Sequence, residues 1–329
     1  MIGLNMQRIV SFLPSATEMV FALGLGDRLM GISRECDYPP EAKSKPVVVR
    51  AVLPVESMSQ SEIDVAVTQR LRDGLSLYQV EERLIRDIAP DLILTQDLCQ
   101  VCAPSGNEVS QLLTTLPIKP RILSMTPKSL DGIFSNLRDL GEATGTSECA
   151  REMISTAQAR LARIAAKTHR ISRRPRVFCM EWIDPVYCSG HWVPEMVELA
   201  GGTDELGRRG TDSVRIAWED VLRWAPEVLI VMPCGYDLEK AATQACALPS
   251  YPGWSDIPAV RAGRVYVVNA NAYFARPGPR VVDGTELLAH LLHPTLFDWG
   301  ASDRAFQRLT NSQSSAAVVQ AALAEARWA

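Results

Sequence analysis

Two pieces of this chain occur twice and in the same order, which constrains its folding more than any other feature. Glu18-Met19-Val20 with Gly24, Asp27 and Leu29 matches Glu195-Met196-Val197 with Gly201, Asp204 and Leu206, at a constant offset of 177 residues. Ala89-Pro90-Asp91-Leu92-Ile93-Leu94 matches Ala225-Pro226-Glu227-Val228-Leu229-Ile230, at an offset of 136. Two matches in one order predict a duplicated unit, with chance likeness between two α/β units as the alternative. The offsets differ by 41, so the first copy carries 41 more residues between the matched pieces, including the second strand and polar helices near residues 56–82.

Between the copies lies Ser147 to His169, SECAREMISTAQARLARIAAKTH. Ala150, Met153, Ile154, Ala157, Leu161, Ile164 and Ala165 recur at helical spacing, with Arg151, Gln158, Arg160, Arg163 and Lys167 between them. Thr146 or Ser147 caps the start, Glu148 suits the positive end of the dipole, and His169 and Arg170 suit the other. At 1.5 Å per residue the helix is roughly 35 Å long. An ordinary surface helix has the same pattern, but a repeat on either side predicts a spine joining two lobes. The predicted fold is therefore α/β: two lobes with mostly parallel sheets joined by one long spanning helix. Residues 1–128 form the first lobe, 129–172 the connecting helices and 173–329 the second.

Composition narrows the class. Hydrophobic residues at 47% and charged residues at 22% over 329 residues describe a globular chain long enough for two domains. A net charge of −4 without a basic stripe gives no footprint for nucleic acid. The apolar N-terminus lacks a basic n-region and is interrupted by Pro14 and Glu18, so it reads as mature structure. No stretch approaches a membrane span. Eight cysteines without an export signal fit a reducing compartment, and the expectation is a cytoplasmic protein.

Strands are expected at Arg8 to Leu13, Leu29 to Ser33, Val47 to Val49, Asp91 to Thr95, Arg121 to Ser124, Arg176 to Glu181, Val228 to Met232 and Val265 to Val268. Helices are expected from near Glu18 to Gly24, across much of 56–89, and over Ser129 to Glu142, Pro194 to Ala200, Trp218 to Trp224 and Val281 to Leu292.

Ligands of open α/β sheets bind beyond the carboxyl ends of strands. The loops there, Pro14 to Thr17, Arg34 to Tyr38, Gln96 to Ser105, Trp182 to Trp192, Cys234 to Tyr236 and Asn269 to Pro277, hold five cysteines and many aromatics. The candidate ligand-binding set is Pro14, Ser15, Cys36, Tyr38, Cys99, Cys102, Trp182, His191, Trp192, Cys234, Tyr236, Phe274 and Arg276. Trp182, Trp192, Tyr236 and Phe274 offer stacking surface for a large flat ligand, and Arg276 an anchor for an acidic group; each aromatic equally suits its own core. Cys99-Gln-Val-Cys102 is a CxxC, and Cys36, Cys99, Cys102 and Cys234 with His191 form a candidate site for zinc or an iron–sulfur cluster. Burial as small apolar side chains is the competing reading. No GxSxG, P-loop, GxGxxG or HExxH is present, and no enzyme is expected.

The run RIVSFLPSATEMVFALGLGDRLMGIS, then IAPDLILTQ, a long helix, SGHWVPEMVELAGG, AWEDVLRWAPEVLIV and VRAGRVYVV resembles the cobalamin and iron-siderophore binding proteins of ABC importers. The resemblance covers nearly the whole chain. It implies two α/β lobes on a rigid helix, a corrinoid or other metal chelate held between them with little closure, and one glutamate per lobe that docks on a membrane permease. Glu219 matches one docking residue and Glu82 most nearly the other. Lacking an export signal, the chain resembles a signal-less cobalamin-binding-like subgroup. A cytoplasmic metalloprotein or redox enzyme using the cysteines is a second reading, and an exported importer component with a start codon upstream a third.

Overall fold

The computed structural model describes residues 7–96, 112–114, 116–117, 119–302 and 304–309. Its contacts form two units, one from Met1–Pro127, Asp131–Ala157 and Pro277–Pro279, the other from Lys128–Leu130, Gln158–Arg276 and Arg280–Ala329.

In the first unit, β1 (Ile9–Ser11) leads into α1 (Pro14–Ala22), then β2 (Leu29–Ser33), β3 (Val47–Ala51), α2 (Gln60–Arg72), β4 (Tyr78–Val80), α3 (Glu82–Ile88), β5 (Leu92–Thr95), β6 (Arg121–Ser124) and α4 (Leu130–Thr144). The sheet order is β4-β3-β2-β1-β5-β6, parallel except where β4 runs against β3. β1 and β5 are buried along their whole length, as apolar runs must be when both faces of a parallel sheet are covered. Ser59 caps α2 by accepting the Glu62 amide while the Glu62 carboxylate accepts the Ser59 amide, a reciprocal pairing of two otherwise orphaned donors.

The helix α5 (Ser147–Thr168) runs on from the first unit into the second. There follow β7 (Val177–Trp182), β8 (Tyr187–Cys188), β9 (Gly190–His191), α6 (Val193–Leu199), β10 (Arg208–Arg209), α7 (Trp218–Trp224), β11 (Val228–Val231), α8 (Leu238–Ala245), α9 (Pro258–Arg261), β12 (Val265–Val268), α10 (Ala270–Tyr273), α11 (Val281–Leu292) and β13 (Phe306–Arg308). The main sheet is β13-β12-β11-β7-β8, parallel at its centre with antiparallel β13 and β8 at its edges, and β9 and β10 pair separately.

The duplication reappears in backbone detail. The Arg8 carbonyl accepts the amides of Asp91 and Leu92, and the Arg176 carbonyl accepts those of Glu227 and Val228. In return Asp91 Oδ2 accepts the Arg8 amide at 2.8 Å and Glu227 Oε2 the Arg176 amide at 3.0 Å. α3 and α7 both end on an alanine in the left-handed region, Ala89 at φ 49° and Ala225 at φ 50°, with amides bonded to Ile85 and Val221.

Several local expectations are corrected. α1 starts at Pro14 rather than near Glu18, because a proline at the first helical position lacks an amide that would have no partner there. Residues 78–80 are strand where helical spacing was read; their pairing with β3 outweighs a weak local pattern. The stretch 182–192 contains β8 and β9, and 269–277 contains α10. α8, capped by the Asp237 side chain on the Lys240 amide, and the edge strand β13 went unread.

Arg160 of α5 ties the helix to α11. Its Nε donates to Glu286 Oε1 at 2.9 Å, and its Nη2 reaches both Glu286 and Asp283. All three side chains are about one-third exposed, so solvent screens part of the attraction. Arg160→Ala is expected to lower stability by about 1–2 kcal/mol, because two acids then face each other without the cation; urea unfolding checks this. Ala89→Gly and Ala225→Gly, by contrast, relieve left-handed strain of about 1–2 kcal/mol per site, less glycine's larger loss of chain entropy. Each is expected to raise stability by about 0.5–1 kcal/mol, and a loss in either would contradict the shared geometry.

Candidate ligand-binding site

In the first unit, the residues placed in the candidate site have separate fates. Pro14 is half-buried and Ser15 buried in the first turn of α1. Cys36 is 2% exposed, with Sγ 3.1 Å from Thr17 Oγ1 and 3.4 Å from Ser33 Oγ, so its thiol is taken up by the interior. Tyr38, after it, is exposed. Cys99 and Cys102 lie outside the described residues.

In the second unit the carboxyl ends of β7, β11 and β12 gather the remaining candidates. Trp182 ends β7, half-buried, with its ring 5.5 Å from Tyr236 and tilted by 57°. Tyr236 is 3% exposed in the apolar core, and Lys240 Nζ lies 4.2 Å from its ring centroid. Trp192 donates its indole N–H to the Phe274 carbonyl at 2.9 Å, and both side chains are buried. Expecting all four aromatics to line a cleft is therefore corrected. Trp192, Tyr236 and Phe274 fill the unit's interior, where apolar area is removed from water, and of the four only Trp182 retains substantial surface. Arg276 is half-buried, and Cys234 is exposed beside Gly235.

His191 sits at φ 52°, uncommon for a residue with a side chain, and its Nε2 lies 3.0 Å from Asp212 Oδ1. Among the described residues no group of three or more His, Cys, Asp or Glu side chains is placed to hold a metal ion. Of the expected metal set Cys36, Cys99, Cys102, Cys234 and His191, the Cys36 thiol meets hydroxyls and His191 meets Asp212, while Cys99 and Cys102 lie outside the described residues.

For the docking glutamates, Glu219 is exposed in the first turn of α7 and Glu82 is half-buried at the start of α3. Residue-for-residue alignment of the two helices at offset 136 sets Glu82 against Trp218 and Arg83 against Glu219.

The sequence reading missed two acids. Glu181, at the end of β7, accepts hydrogen bonds from the Ser213 hydroxyl and the Gly190 amide. Asp204 accepts from the Leu206 and Gly207 amides at 3.2 and 3.0 Å and from the Ser189 hydroxyl at 3.2 Å. Both keep a little solvent contact but are crowded by protein. Burial pushes Glu181 up to about 7, with Asp204 adding to the rise and the Ser213 and Gly190 donors opposing it. Burial likewise pushes Asp204 up to about 6 against its donors. The available signals were an acid closing the apolar run Val177-Phe178-Cys179-Met180 and, for Asp204, its match with Asp27 in the repeat.

Because these carboxyls hold protons more tightly in the folded chain, their contribution to stability is complete below their ordinary values of 4.5 and 3.8. It is lost as pH rises through about 7 and 6. Glu181→Gln, which cannot ionise, is therefore expected to raise Tm at pH 8 and leave it nearly unchanged at pH 4.5; thermal unfolding at the two pH values measures this.

Comparison with known proteins places this geometry in a family. The profile described as "Periplasmic binding protein" matches residues 9–272. An ABC transporter substrate-binding lipoprotein of Bacillus subtilis, YvrC, is 26% identical over 300 residues, covering 88% of this chain and 81% of its own. The vitamin B12-binding protein of Vibrio cholerae is 26% identical over 284 residues, covering 85% and 87%. A crystal structure of a periplasmic heme binding protein from Pseudomonas aeruginosa superposes with a TM-score of 0.69 at 20% identity, covering 93% and 98%. The cytoplasmic expectation is overturned by these matches, to a lipoprotein and to proteins of the periplasmic binding type. That expectation rests on cysteine content and on the N-terminal residues, and the likeness to these relatives outweighs both. No described helix is long and apolar enough to cross a membrane. With two α/β units, a continuous connecting helix and a profile match over most of its length, the chain belongs to the periplasmic binding protein family.

Proposed function

We propose that the chain is the substrate-binding component of an ABC importer and takes up a corrinoid, or a closely similar metal chelate, in the compartment of its relatives. The observation that carries this reading is the 26% identity with a vitamin B12-binding protein over 85% of the chain. Trp182 supports it: a half-buried indole at the carboxyl end of β7, backed by Tyr236, presents apolar face of the kind a flat macrocycle packs against. In this proposal Arg276, half-buried in the same unit as Trp182, meets an acidic substituent of the ligand. Trp192, Tyr236 and Phe274 act behind the surface by holding the loops in place.

Titration with cyanocobalamin, with hemin alongside, tests the reading through absorbance and tryptophan quenching. Saturable binding of the corrinoid is expected, and Trp182→Ala is expected to weaken it about tenfold at little cost to stability. Saturable binding of hemin alone would keep the binding-protein reading and replace the ligand; failure of both would remove it.

Exposed Glu219 is proposed to meet a basic residue of the permease. Glu219→Arg is then expected to leave ligand affinity unchanged and to lower ligand uptake by cells, because an approaching cation would meet a like charge. Uptake equal to that of the original chain would remove Glu219 from the docking surface.

A further inference from the structure

Of the two acids missed in the sequence, Glu181 lies against, and Asp204 lies within, a segment that nothing in the ligand reading uses. Residues 203–216 lead from α6 to α7 and lie along 186–191, stitched there by backbone hydrogen bonds. The Arg208 amide donates to Ser189, Gly210 to His191, His191 to Thr211, Cys188 to Val214 and Ile216 to Val186. The approach is so close that a Cβ on Gly190 would lie 2.5 Å from the Ser213 nitrogen and 2.7 Å from the Thr211 oxygen, so no side chain fits there. Two side-chain contacts fasten the far end, from Ser213 to Glu181 and from Asp212 to His191. Asp204 fastens the near end through Ser189 and its own turn.

We propose that residues 203–216 form a pH-controlled strap, docked on 186–191 while the Glu181 carboxyl is protonated and released as that group ionises. The geometry supplies the reason. Glu181 faces Ser213 and the Gly190 amide, with Asp204 as the nearby charge, and the thiols of Cys179 and Cys188 feel both acids. Arg208 acts on the Cys188 thiol of this cluster. No cation contact to either acid is seen among the described residues. Ionised together, the acids repel in a crowded, poorly hydrated place, and lifting the strap admits water to both.

Protons are therefore taken up on docking. Docking is fully favoured below the ordinary glutamate value of 4.5 and loses that support as pH rises through about 7. His191 opposes this at the acid end. Burial and Lys128 favour its neutral ring against the pull of Asp212, so docking weakens when the ring gains a proton.

Hydrogen exchange of the ligand-free full chain tests the strap independently of any ligand. After correction for intrinsic rates, the amides of Cys188, His191, Arg208, Gly210 and Ile216 are expected to lose about tenfold in protection from pH 5.5 to pH 8. Amides of the β11–β12 ladder report global unfolding and should stay better protected than the strap amides at both pH values. In Glu181→Gln the step should vanish, with the strap protected at both pH values. A wild-type strap indifferent to pH, or a step that survives in Glu181→Gln, overturns the proposal. Ser213→Ala supplies a second reading if Glu181→Gln does not fold. It removes the hydroxyl contact and should loosen the strap at both pH values without affecting the β11–β12 amides, and unchanged protection there would also overturn it.

Discussion

Each unit depends on the register of one parallel strand pair, β1 with β5 and β7 with β11. Parallel neighbours cannot be joined by a tight hairpin, so their alignment has to be set by contacts between residues far apart in the chain. Here one residue before each first strand meets one acid before each second strand. Arg8 gives its amide to Asp91 and Arg176 gives its amide to Glu227, while their carbonyls receive the amides that open β5 and β11. With that end pinned, residues pair in order from Ile9 with Leu92 and from Val177 with Val228. The carboxyl ends of the strands then share one edge of each sheet, where Trp182 ends β7 and Cys234 and Arg276 lie in the segments after β11 and β12.

Polar groups in the second unit stabilise its shape only where their partners are supplied. Arg160 keeps two acids of α11 neutralised beside the long helix, and the raised pKa of its guanidinium reflects the Glu286 and Asp283 hydrogen bonds prevailing over partial burial. Among the described residues Glu181 and Asp204 have no such cation, and amide and hydroxyl donors meet their oxygens. Donors lower the cost of a crowded carboxylate but do not cancel its charge, so these groups hold protons near neutral pH. The same local chemistry makes the Arg160 cluster a fixed clamp and the Glu181 cluster responsive to pH.

The copies also show how a shared residue acquires different work. Asp27 is exposed in the first unit, whereas its match Asp204 is crowded within a connecting segment. Glu18 is buried, and a Cβ on Gly278 would lie 3.3 Å from its carboxylate. Its match Glu195 accepts the Leu130 amide at 3.0 Å at the start of α4.

Local pattern carried most of the fold. β6, β12, α7 and α11 lie where periodicity and flanking residues set them, because short-range hydrogen bonds and one-sided burial leave a period in the sequence. The duplication and the spanning helix were legible for the same reason. Which side chains meet solvent was not legible. Trp182, Trp192, Tyr236 and Phe274 all read as loop aromatics, yet three are interior, and Glu181 read as the end of a strand. β4 was hidden because its strand character comes from pairing with β3. Sequence alone determined the order and kind of the main elements, through contacts only a few residues apart. Only the tertiary structure decided exposure, the crowding of the two acids and the occupation of Cys36 and His191, since these depend on neighbours brought in from distant parts of the chain.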